Sequence, residues 1–187
     1  AELTQDLAVK AIAQFESILV SANSEYDRVV SRNEGFFSEL EEEGRELFFI
    51  EFIEQGVLHP GCSHCHNAPS FGDNQFHNNG LDDVASLADF TDLGRGGVNG
   101  NVFDNGKFRT TTLRNIELTA PYMHDGRFAT LEEVVDHYAA GGHGVENENP
   151  NITGFELTPR KKEALVAFMK TLTDEEFITN PAFASPF

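Results

Sequence analysis

The sequence is poor in cysteine and in basic residues, and both shortages exclude classes of protein. Cys62 and Cys65 are the only cysteines among its 187 residues. Two cysteines so close together cannot cross-link distant parts of a domain as a disulfide framework does. Lys and Arg number 13 against 31 Asp and Glu, which gives a formal net charge of −18. Nucleic acid and anionic membrane surfaces would repel a chain of this charge. A basic protein partner would suit it, but an ordinary acidic surface explains the charge equally simply and is the favoured interpretation.

A long apolar segment is also missing. No apolar run approaches the roughly 20 residues that a membrane-spanning helix needs, so we expect no membrane span. The sequence does not open with a basic and then apolar signal segment, and an exported protein would therefore be expected in its processed form. Hydrophobic residues nevertheless make up 40% of the chain, with 17 Phe, which predicts a folded domain with a substantial core.

The two cysteines lie in the run Cys62-Ser63-His64-Cys65-His66, which has the Cys-x-x-Cys-His spacing of a c-type haem attachment site. In such a site the two thiols bond to the porphyrin vinyl groups, and the following histidine, here His66, binds the iron from one side. Two other interpretations remain. A redox dithiol would require a βαβ setting that the surrounding sequence lacks. A zinc site would combine the cysteines with two histidines, drawn from His59, His64, His66 and His77.

Helical patterns surround this motif. Capping boxes, a proline at a first helical position and apolar residues at i, i+3 and i+4 identify the segments. The predicted helices are Leu3–Ala22, a short one within 23–35, one from Ser38 and Glu41 to about Gln55, one from Thr130 and Glu133 to about Ala140, and one that begins at Thr158-Pro159. Their predicted inward residues are Leu7, Ala11, Phe15, Ile18 and Leu19 in the first, Leu40, Leu47, Phe48 and Phe52 in the third, Leu131, Val134, Val135 and Tyr138 in the fourth, and Leu165, Phe168, Met169 and Leu172 in the last.

The stretch from Pro69 to Phe108 is rich in Gly, Asn and Asp and has little periodicity. We expect a long loop that wraps the haem, with a short helix at Asp82–Leu87. The predicted fold is all-α: a c-type cytochrome-like domain of several helices with long loops around one haem. Residues 1–187 are expected to form a single haem domain, in which 1–56 provide N-terminal helices that pack on the haem core and 57–187 provide that core and the C-terminal helix.

Four residues could supply the second axial ligand of the iron: Met123, His124, His137 and Tyr138. Small electron-transfer cytochromes use a methionine several tens of residues after the motif, which favours Met123 slightly. Tyr138 lies on the apolar face of its predicted helix, where a buried phenol needs a partner for its oxygen. His124 could donate a hydrogen bond instead, and His137 should point roughly 100° away from Tyr138. Spacing alone leaves the choice open.

Longer motifs carry a family resemblance. They are the segments 108–115 (FRTTTLRN), 118–128 (LTAPYMHDGRF), 131–138 (LEEVVDHY) and 173–177 (TDEEF), with Asn180-Pro181 near the end. Together they resemble the C-terminal haem domain of the bacterial di-haem cytochrome c peroxidase and MauG family. The likeness extends from the first predicted helix to the C-terminus.

The resemblance implies roles for several residues. In the peroxidases a methionine on the helix after the Tyr-x-His-Asp-Gly segment binds the iron, and in MauG-type enzymes a tyrosine does; the matching residue is Tyr138. Met123 would then pack near the haem. Backbone oxygens at the positions of Thr119 and Pro121 hold part of a calcium site between domains. Two guanidinium groups are candidates for contacts with the haem propionates, those of Arg109 and Arg114, with ordinary salt bridging as the alternative.

One departure from the family bears on function. Its members carry two haems with an aromatic residue between them, whereas this sequence has one haem motif and no Trp. The resemblance therefore implies the electron-transfer half of a periplasmic or otherwise exported oxidoreductase. Its six-coordinate His/Tyr haem would exchange electrons with a second haem on another domain or subunit, or with a redox protein. Alternatives are a stand-alone mono-haem carrier with His/Met ligation and no enzyme activity, and a haem-based gas sensor.

Overall fold

The computed structural model describes residues 4–50, 53–54 and 57–184, and it consists of helices joined by long loops. The α-helices are α1 (Gln5–Glu16), α2 (Glu39–Phe49), α3 (Arg95–Asn99), α4 (Leu131–Ala140), α5 (Pro159–Lys170) and α6 (Glu175–Ile178). A π-helical turn covers Asp27–Ser31, and 3₁₀ turns cover Cys62–His64, Val102–Asp104, Ile116–Leu118 and Pro181–Phe183. Two antiparallel ribbons of two residues per strand pair β1 (Ile53–Glu54) with β2 (Val57–Leu58) and β3 (Phe76–His77) with β4 (Phe108–Arg109). Helices thus make up most of the regular secondary structure of the described chain, and the all-α class stays a prediction.

Helices α2 and α5 lie at the centre of the fold. They approach so closely that a Cβ on Gly44 would lie 1.9 Å from the Ala164 carbonyl oxygen, so that only glycine fits there. The predicted capping box starts α2, and the Glu41 carboxylate accepts the Ser38 N–H at 2.7 Å. The prediction that this helix continues to Gln55 is wrong, because the helix ends at Phe49 and the backbone is extended at Ile50. Phe52 and Gln55 themselves lie outside the described residues.

Phe168 of α5 is the centre of an aromatic core. Its side chain is fully buried, and its ring centroid lies 5.1 Å from that of Phe48, 5.9 Å from Tyr26 and 6.4 Å from Phe71. The stripe predicted for α5 is buried along its whole length: Leu165, Phe168, Met169 and Leu172. Because Phe71 belongs to the loop that follows the Cys-x-x-Cys-His motif, this core holds the loop against α2 and α5.

Helix α4 follows its prediction from end to end. Thr130 and Glu133 form the capping box at its start, and Gly141 ends it with a left-handed φ of 88° that a side chain would strain. Leu131 and Val135 are buried, while Val134 and Tyr138 are partly buried on the same face. This places Tyr138 on the side of α4 that faces the rest of the domain.

The N-terminal segment departs from its prediction. Helix α1 spans Gln5–Glu16 rather than 3–22, and it buries none of its residues. Leu7 and Phe15, which helical spacing placed inward, are 49% and 46% exposed. Periodicity identifies an apolar face but does not supply its partner. Among the described residues, an edge contact of Phe15 with Phe183 covers part of this face. Among the described helices, none has both the length and the apolarity needed to cross a bilayer.

The long loop has structure of its own. The helix predicted at Asp82–Leu87 is wrong, since this segment consists of bends and turns, and a short helix occurs instead at Arg95–Asn99. Leu81, Leu87 and Phe90 are each buried within the loop region. Buried asparagines replace regular backbone pairing: the Asn105 amide, for instance, donates to the Leu87 carbonyl at 2.8 Å. The loop therefore does not depend on a cofactor alone for its core.

A buried ion pair joins the N-terminal segment to the loops around the motif. Both ends of the Arg114 guanidinium donate to the Asp27 carboxylate at 2.8 Å, and the side chains are 12% and 9% exposed. Burial by itself raises the pKa of Asp27, but hydrogen bonds from Arg114 and Ser24 outweigh it and hold that pKa below its usual value. The ionised pair therefore stabilises the fold at neutral pH.

We expect Asp27→Asn to lower the free energy of unfolding by about 1–3 kcal/mol at pH 7, since it leaves a buried charged donor poorly satisfied. A folded-state pKa below the unfolded one, about 3.9, gives stability that is present above that value and is lost as pH falls through the folded-state pKa. The difference between wild type and variant, measured by urea unfolding, should therefore shrink at acidic pH. Asp6→Asn, in the exposed Asp6–Lys10 pair, is the control, with an expected change below about 1 kcal/mol.

Candidate haem site

The Cys-x-x-Cys-His motif folds as a tight turn. Residues Cys62–His64 form a 3₁₀ turn that starts from Gly61 at a left-handed φ of 54°. The Cys65 and His66 amides both donate to the Cys62 carbonyl, at 3.3 and 2.9 Å. This turn brings the two cysteines and the histidine close together, as their attachment to one edge of a haem would require.

The two thiols do not have the chemistry of a redox pair. They are free in this structure, and burial raises the pKa of Cys62 to about 12 and that of Cys65 above its usual value. Reactive dithiols have a lowered thiol pKa instead. The dithiol interpretation is therefore disfavoured, whereas two protected thiols suit a covalent attachment site.

His66 is held in the orientation of a proximal ligand. Its Nδ1–H donates to the Phe71 carbonyl at 2.9 Å, so Nε2 is the nitrogen left to bind a metal. Burial lowers the pKa of His66, and hydrogen bonds with the Phe71 and Thr111 backbone oppose that shift. Phe71 itself has a left-handed φ of 53°, a strained conformation for a bulky residue. That conformation points its ring into the aromatic core and its carbonyl at His66.

Tyr138 and Met123 lie close to each other, and both contact Asn79. The Asn79 side-chain amide is 3.4 Å from the Tyr138 hydroxyl and 3.4 Å from the Met123 sulfur. Burial raises the pKa of the Tyr138 phenol, and the hydrogen bond from Asn79 opposes that rise. Cys62 and Cys65 are close enough for charge on either sulfur to act on the phenol. The structure thus brings two of the four candidate ligands near the motif at once.

The two histidine candidates have other partners. His137 donates from Nε2 to the Asn79 carbonyl at 2.9 Å, and its ring centroid lies 5.2 Å from that of Tyr138. The His124 ring stacks on Phe108, with centroids 3.6 Å apart and planes 9° apart. Neither arrangement prepares the imidazole for the iron, which leaves Tyr138 and Met123.

The donors for a zinc site are only partly assembled. Cys65, Asp73 and His77 offer ligand atoms within 4.8 Å of one another. His77 Nε2 lies 2.9 Å from the Asp73 carboxylate, and Asn149 contacts Nδ1 of the same ring at 2.8 Å. His64 lies instead against the Gly61 carbonyl, at 3.1 Å. The assembled group thus replaces the predicted second histidine with an aspartate and lacks Cys62, which makes it a poor match to the zinc interpretation.

The predicted propionate and calcium residues have ordinary protein contacts. Arg109 donates to the Asn74 side chain at 2.6 Å, and Arg114 is engaged by Asp27 and by the Pro69 carbonyl at 2.7 Å. The Thr119 hydroxyl donates to the Ile116 carbonyl at 3.2 Å, and Thr119 and Pro121 are exposed. These four residues remain predictions, with Arg114 already committed to a carboxylate of the protein.

Two residues important to the geometry were missed from the sequence. Phe71 orients His66, and Asn79 contacts both candidate distal ligands. A positive φ at a phenylalanine has no sequence signal. Asn79 lies in an Asn-Asn-Gly run that indicates a turn, but a turn signal does not say which side chains the turn will meet.

The residues present fit a c-type haem. Two partly buried thiols stand beside a histidine whose Nδ1 is occupied, and an oxygen and a sulfur donor lie near them, which is the donor set of such a site. In this site Cys62 and Cys65 would hold the ring, His66 would bind the iron on one side, and Tyr138 or Met123 would bind it on the other.

Comparison with known proteins finds relatives among bacterial cytochrome c peroxidases and MauG proteins. The chain is 35% identical over 175 residues to a cytochrome c551 peroxidase of Nitrosomonas europaea, which covers 94% of this chain and 46% of that protein. It is 33% identical to the methylamine utilization protein MauG of Methylorubrum extorquens, over 88% of this chain and 43% of MauG. No family model matches the chain.

Solved structures give the same relationship. A MauG-like protein associated with microbial copper homeostasis superimposes with a TM-score of 0.80 at 36% identity, over 89% of this chain and 52% of that one. The diheme peroxidase BthA of Burkholderia thailandensis shares the fold, with a TM-score of 0.66 at 21% identity. The chain spans about half the length of these relatives. Over the half that it shares with them, the chain is a homologue of bacterial cytochrome c peroxidases and of MauG.

Proposed function

We propose that this chain is the electron-transfer c-type haem domain of a peroxidase- or MauG-like oxidoreductase, with its iron between His66 and Tyr138. The observation that carries the proposal is the meeting of Tyr138 with the attachment motif: the phenol lies near both motif cysteines and beside an amide donor. The family relationship supports an oxidoreductase haem domain. Residues 1–187 would form one all-α, cytochrome-like haem domain.

The protein groups would each have a defined task. Haem would supply one-electron exchange between ferric and ferrous iron. His66 is oriented by the Phe71 carbonyl, and Tyr138 stands on the rigid helix α4. With both axial positions filled by side chains, no position is left for peroxide. An anionic oxygen ligand favours the ferric state, whereas a thioether would raise the potential. The domain would therefore store or pass electrons rather than bind the oxidant.

A domain that stores or passes electrons without binding the oxidant needs a second redox centre. Relatives of about twice the length include diheme proteins, so we propose that the domain exchanges electrons with another haem domain or subunit, or with a redox protein. The net charge of −18 suits a basic partner surface. We also propose an exported, periplasmic location, and a calcium ion bound partly by the backbone oxygens of Thr119 and Pro121.

We expect Tyr138→Phe to open the iron to external ligands. The phenyl ring keeps the packing on α4 but removes the oxygen donor. Ferrous wild-type protein should bind no carbon monoxide, and the ferrous variant should bind it stoichiometrically, as followed by absorption spectroscopy. The ferric spectrum should also lose its phenolate features.

Tyr122→Phe is the matched control. Tyr122 is buried, and its hydroxyl donates to the Ile116 carbonyl at 3.0 Å, so its loss should leave the haem spectrum unchanged. A Tyr138→Phe spectrum identical to that of wild type would rule out Tyr138 as the ligand. A variant that binds no carbon monoxide but gains a thioether spectrum would identify Met123 as a substitute ligand.

A stand-alone electron carrier is the second candidate, and the position of Met123 favours it. The Met123 sulfur is 3.4 Å from the same Asn79 amide as the Tyr138 hydroxyl, so His66/Met123 ligation is within reach. This candidate requires reversible one-electron chemistry and negligible peroxide turnover by the isolated holoprotein. Rapid peroxide consumption by the isolated chain would exclude it, and co-purification with a second haem polypeptide would favour the first candidate.

A further inference from the structure

Asn79 meets the distal side of the site with both its side chain and its backbone. Its amide nitrogen is 3.4 Å from the Tyr138 hydroxyl and from the Met123 sulfur. Its carbonyl accepts the Nε2–H of His137 at 2.9 Å, one residue before Tyr138 on α4. One residue thus contacts both candidate ligands and the helix that carries one of them.

The backbone around Asn79 is firmly placed. The neighbouring Asn78 is 2% exposed, and its side chain donates to Asn147 at 2.8 Å and accepts the Gly80 N–H at 2.9 Å. A Cβ on Gly80 would lie 2.7 Å from the Gly142 Cα, so this turn is seated directly against the segment that follows α4. Asn79 is therefore held at a fixed distance from Tyr138.

The chemistry of the amide matches the two atoms that it meets. An asparagine NH₂ group has two N–H donors, and a phenol oxygen and a thioether sulfur can each accept one. Because both acceptors lie 3.4 Å from one nitrogen, they are no farther apart than twice that distance. The Tyr138 oxygen and the Met123 sulfur therefore lie close to each other, and the Asn79 amide contacts both.

The two side chains differ in their freedom to move. Tyr138 is anchored within α4, whereas methionine is unbranched with three rotatable bonds. The Met123 backbone is fixed in a turn, where its carbonyl accepts the Gly126 N–H at 3.3 Å and its φ is 72°. The Met123 side chain can still rotate about its own bonds, and the contact of its sulfur with Asn79 restrains that rotation.

We propose that Asn79 is a positioning residue that selects the distal ligand, by donating to the Tyr138 oxygen and holding the Met123 sulfur away from the iron. The inference rests on the proposed His66/Tyr138 ligation and deepens it. A phenolate oxygen has lone pairs enough to accept this hydrogen bond and still bind a metal. Without the amide, the thioether arm is released and competes with Tyr138 for the same position.

The test uses purified holoprotein and two spectroscopic readouts. Asn79→Leu is close to asparagine in shape and has no N–H donor. We expect the ferric spectrum of this variant to lose phenolate features and to gain a thioether-to-iron charge-transfer band. We also expect its midpoint potential to rise in the direction of a Tyr138→Met reference variant. In Asn79→Leu/Met123→Leu the thioether band should be absent.

Two further variants serve as a substitute and as a control for Asn79→Leu. Asn79→Ala, which cannot overpack the turn, should give the same thioether band if the leucine variant fails to fold. Asn99→Ala removes an exposed amide of the same long loop, one that donates to the Asp104 carboxylate at 2.8 Å, and it should leave ligand and potential unchanged.

The outcomes separate this inference from the function on which it rests. A wild-type spectrum without phenolate features would overturn the His66/Tyr138 proposal and this one with it. Wild-type phenolate features that persist unchanged in both Asn79 variants would overturn the selector role alone. An Asn99→Ala spectrum that shifts as far as that of Asn79→Leu would also overturn it, because the effect would then not depend on the Asn79 amide.

Discussion

A Cys62→Ala/Cys65→Ala variant should retain no haem after denaturation, whereas denatured wild-type protein should keep its full chromophore. The physical reason is that only the two thiols can form covalent bonds to the vinyl groups; His66 supplies a coordinate bond that denaturation breaks. Intact mass and haem staining of a denaturing gel measure the result. The expected change is complete loss of the haem mass from the polypeptide, the largest effect of any substitution considered for this chain.

The design has internal controls within the motif. Ser63→Ala changes neither thiol and should leave attachment intact. Each single cysteine variant should keep a haem joined through one bond. Wild-type protein that carries no chromophore after denaturation would refute covalent attachment. If it carried zinc instead, then Asp73→Asn and His77→Ala should release that metal, because these two residues and Cys65 form the assembled ligand group.

Local sequence signals predicted the elements that local chemistry controls. The capping boxes at Ser38 and Thr130 start helices where expected, because a cap depends on residues three positions apart. The Thr158-Pro159 start and the buried stripe of α5 were also confirmed. The attachment motif was recognisable for the same reason, since all of its ligands lie within five consecutive residues.

Local sequence signals gave wrong or incomplete predictions where contacts with residues far along the chain determine the structure. The apolar face of α1 was readable, but its exposure depends on what packs there. The segment 82–87 lost its predicted helix to a loop in which Asn105, 18 positions away from Leu87, supplies the hydrogen bond. Asn79 is the clearest case: its contacts with Met123 and Tyr138 span 44 and 59 positions, and no local pattern encodes them.

Phe168→Ala should lower the free energy of unfolding by about 3–5 kcal/mol, the usual cost of truncating a buried phenylalanine. Phe168 is 0% exposed, and its ring meets those of Tyr26, Phe48 and Phe71. The cavity left behind has rigid walls, because α2 and α5 already touch at Gly44 and cannot close further. Urea unfolding of the holoprotein should show a lower midpoint with an unchanged slope.

Phe36→Ala is the matched control, since Phe36 is 94% exposed and its loss should change stability by no more than about 0.5 kcal/mol. The Phe168 variant also tests whether the core supports the haem site. Phe71 packs on Phe168 and offers its carbonyl to His66, so a loosened Phe71 ring should weaken that hydrogen bond and change the donor strength of the imidazole. A shifted haem potential in Phe168→Ala, and none in Phe36→Ala, is therefore expected. A large loss of stability without any shift would mean that the strained Phe71 backbone holds its carbonyl in place independently of its ring.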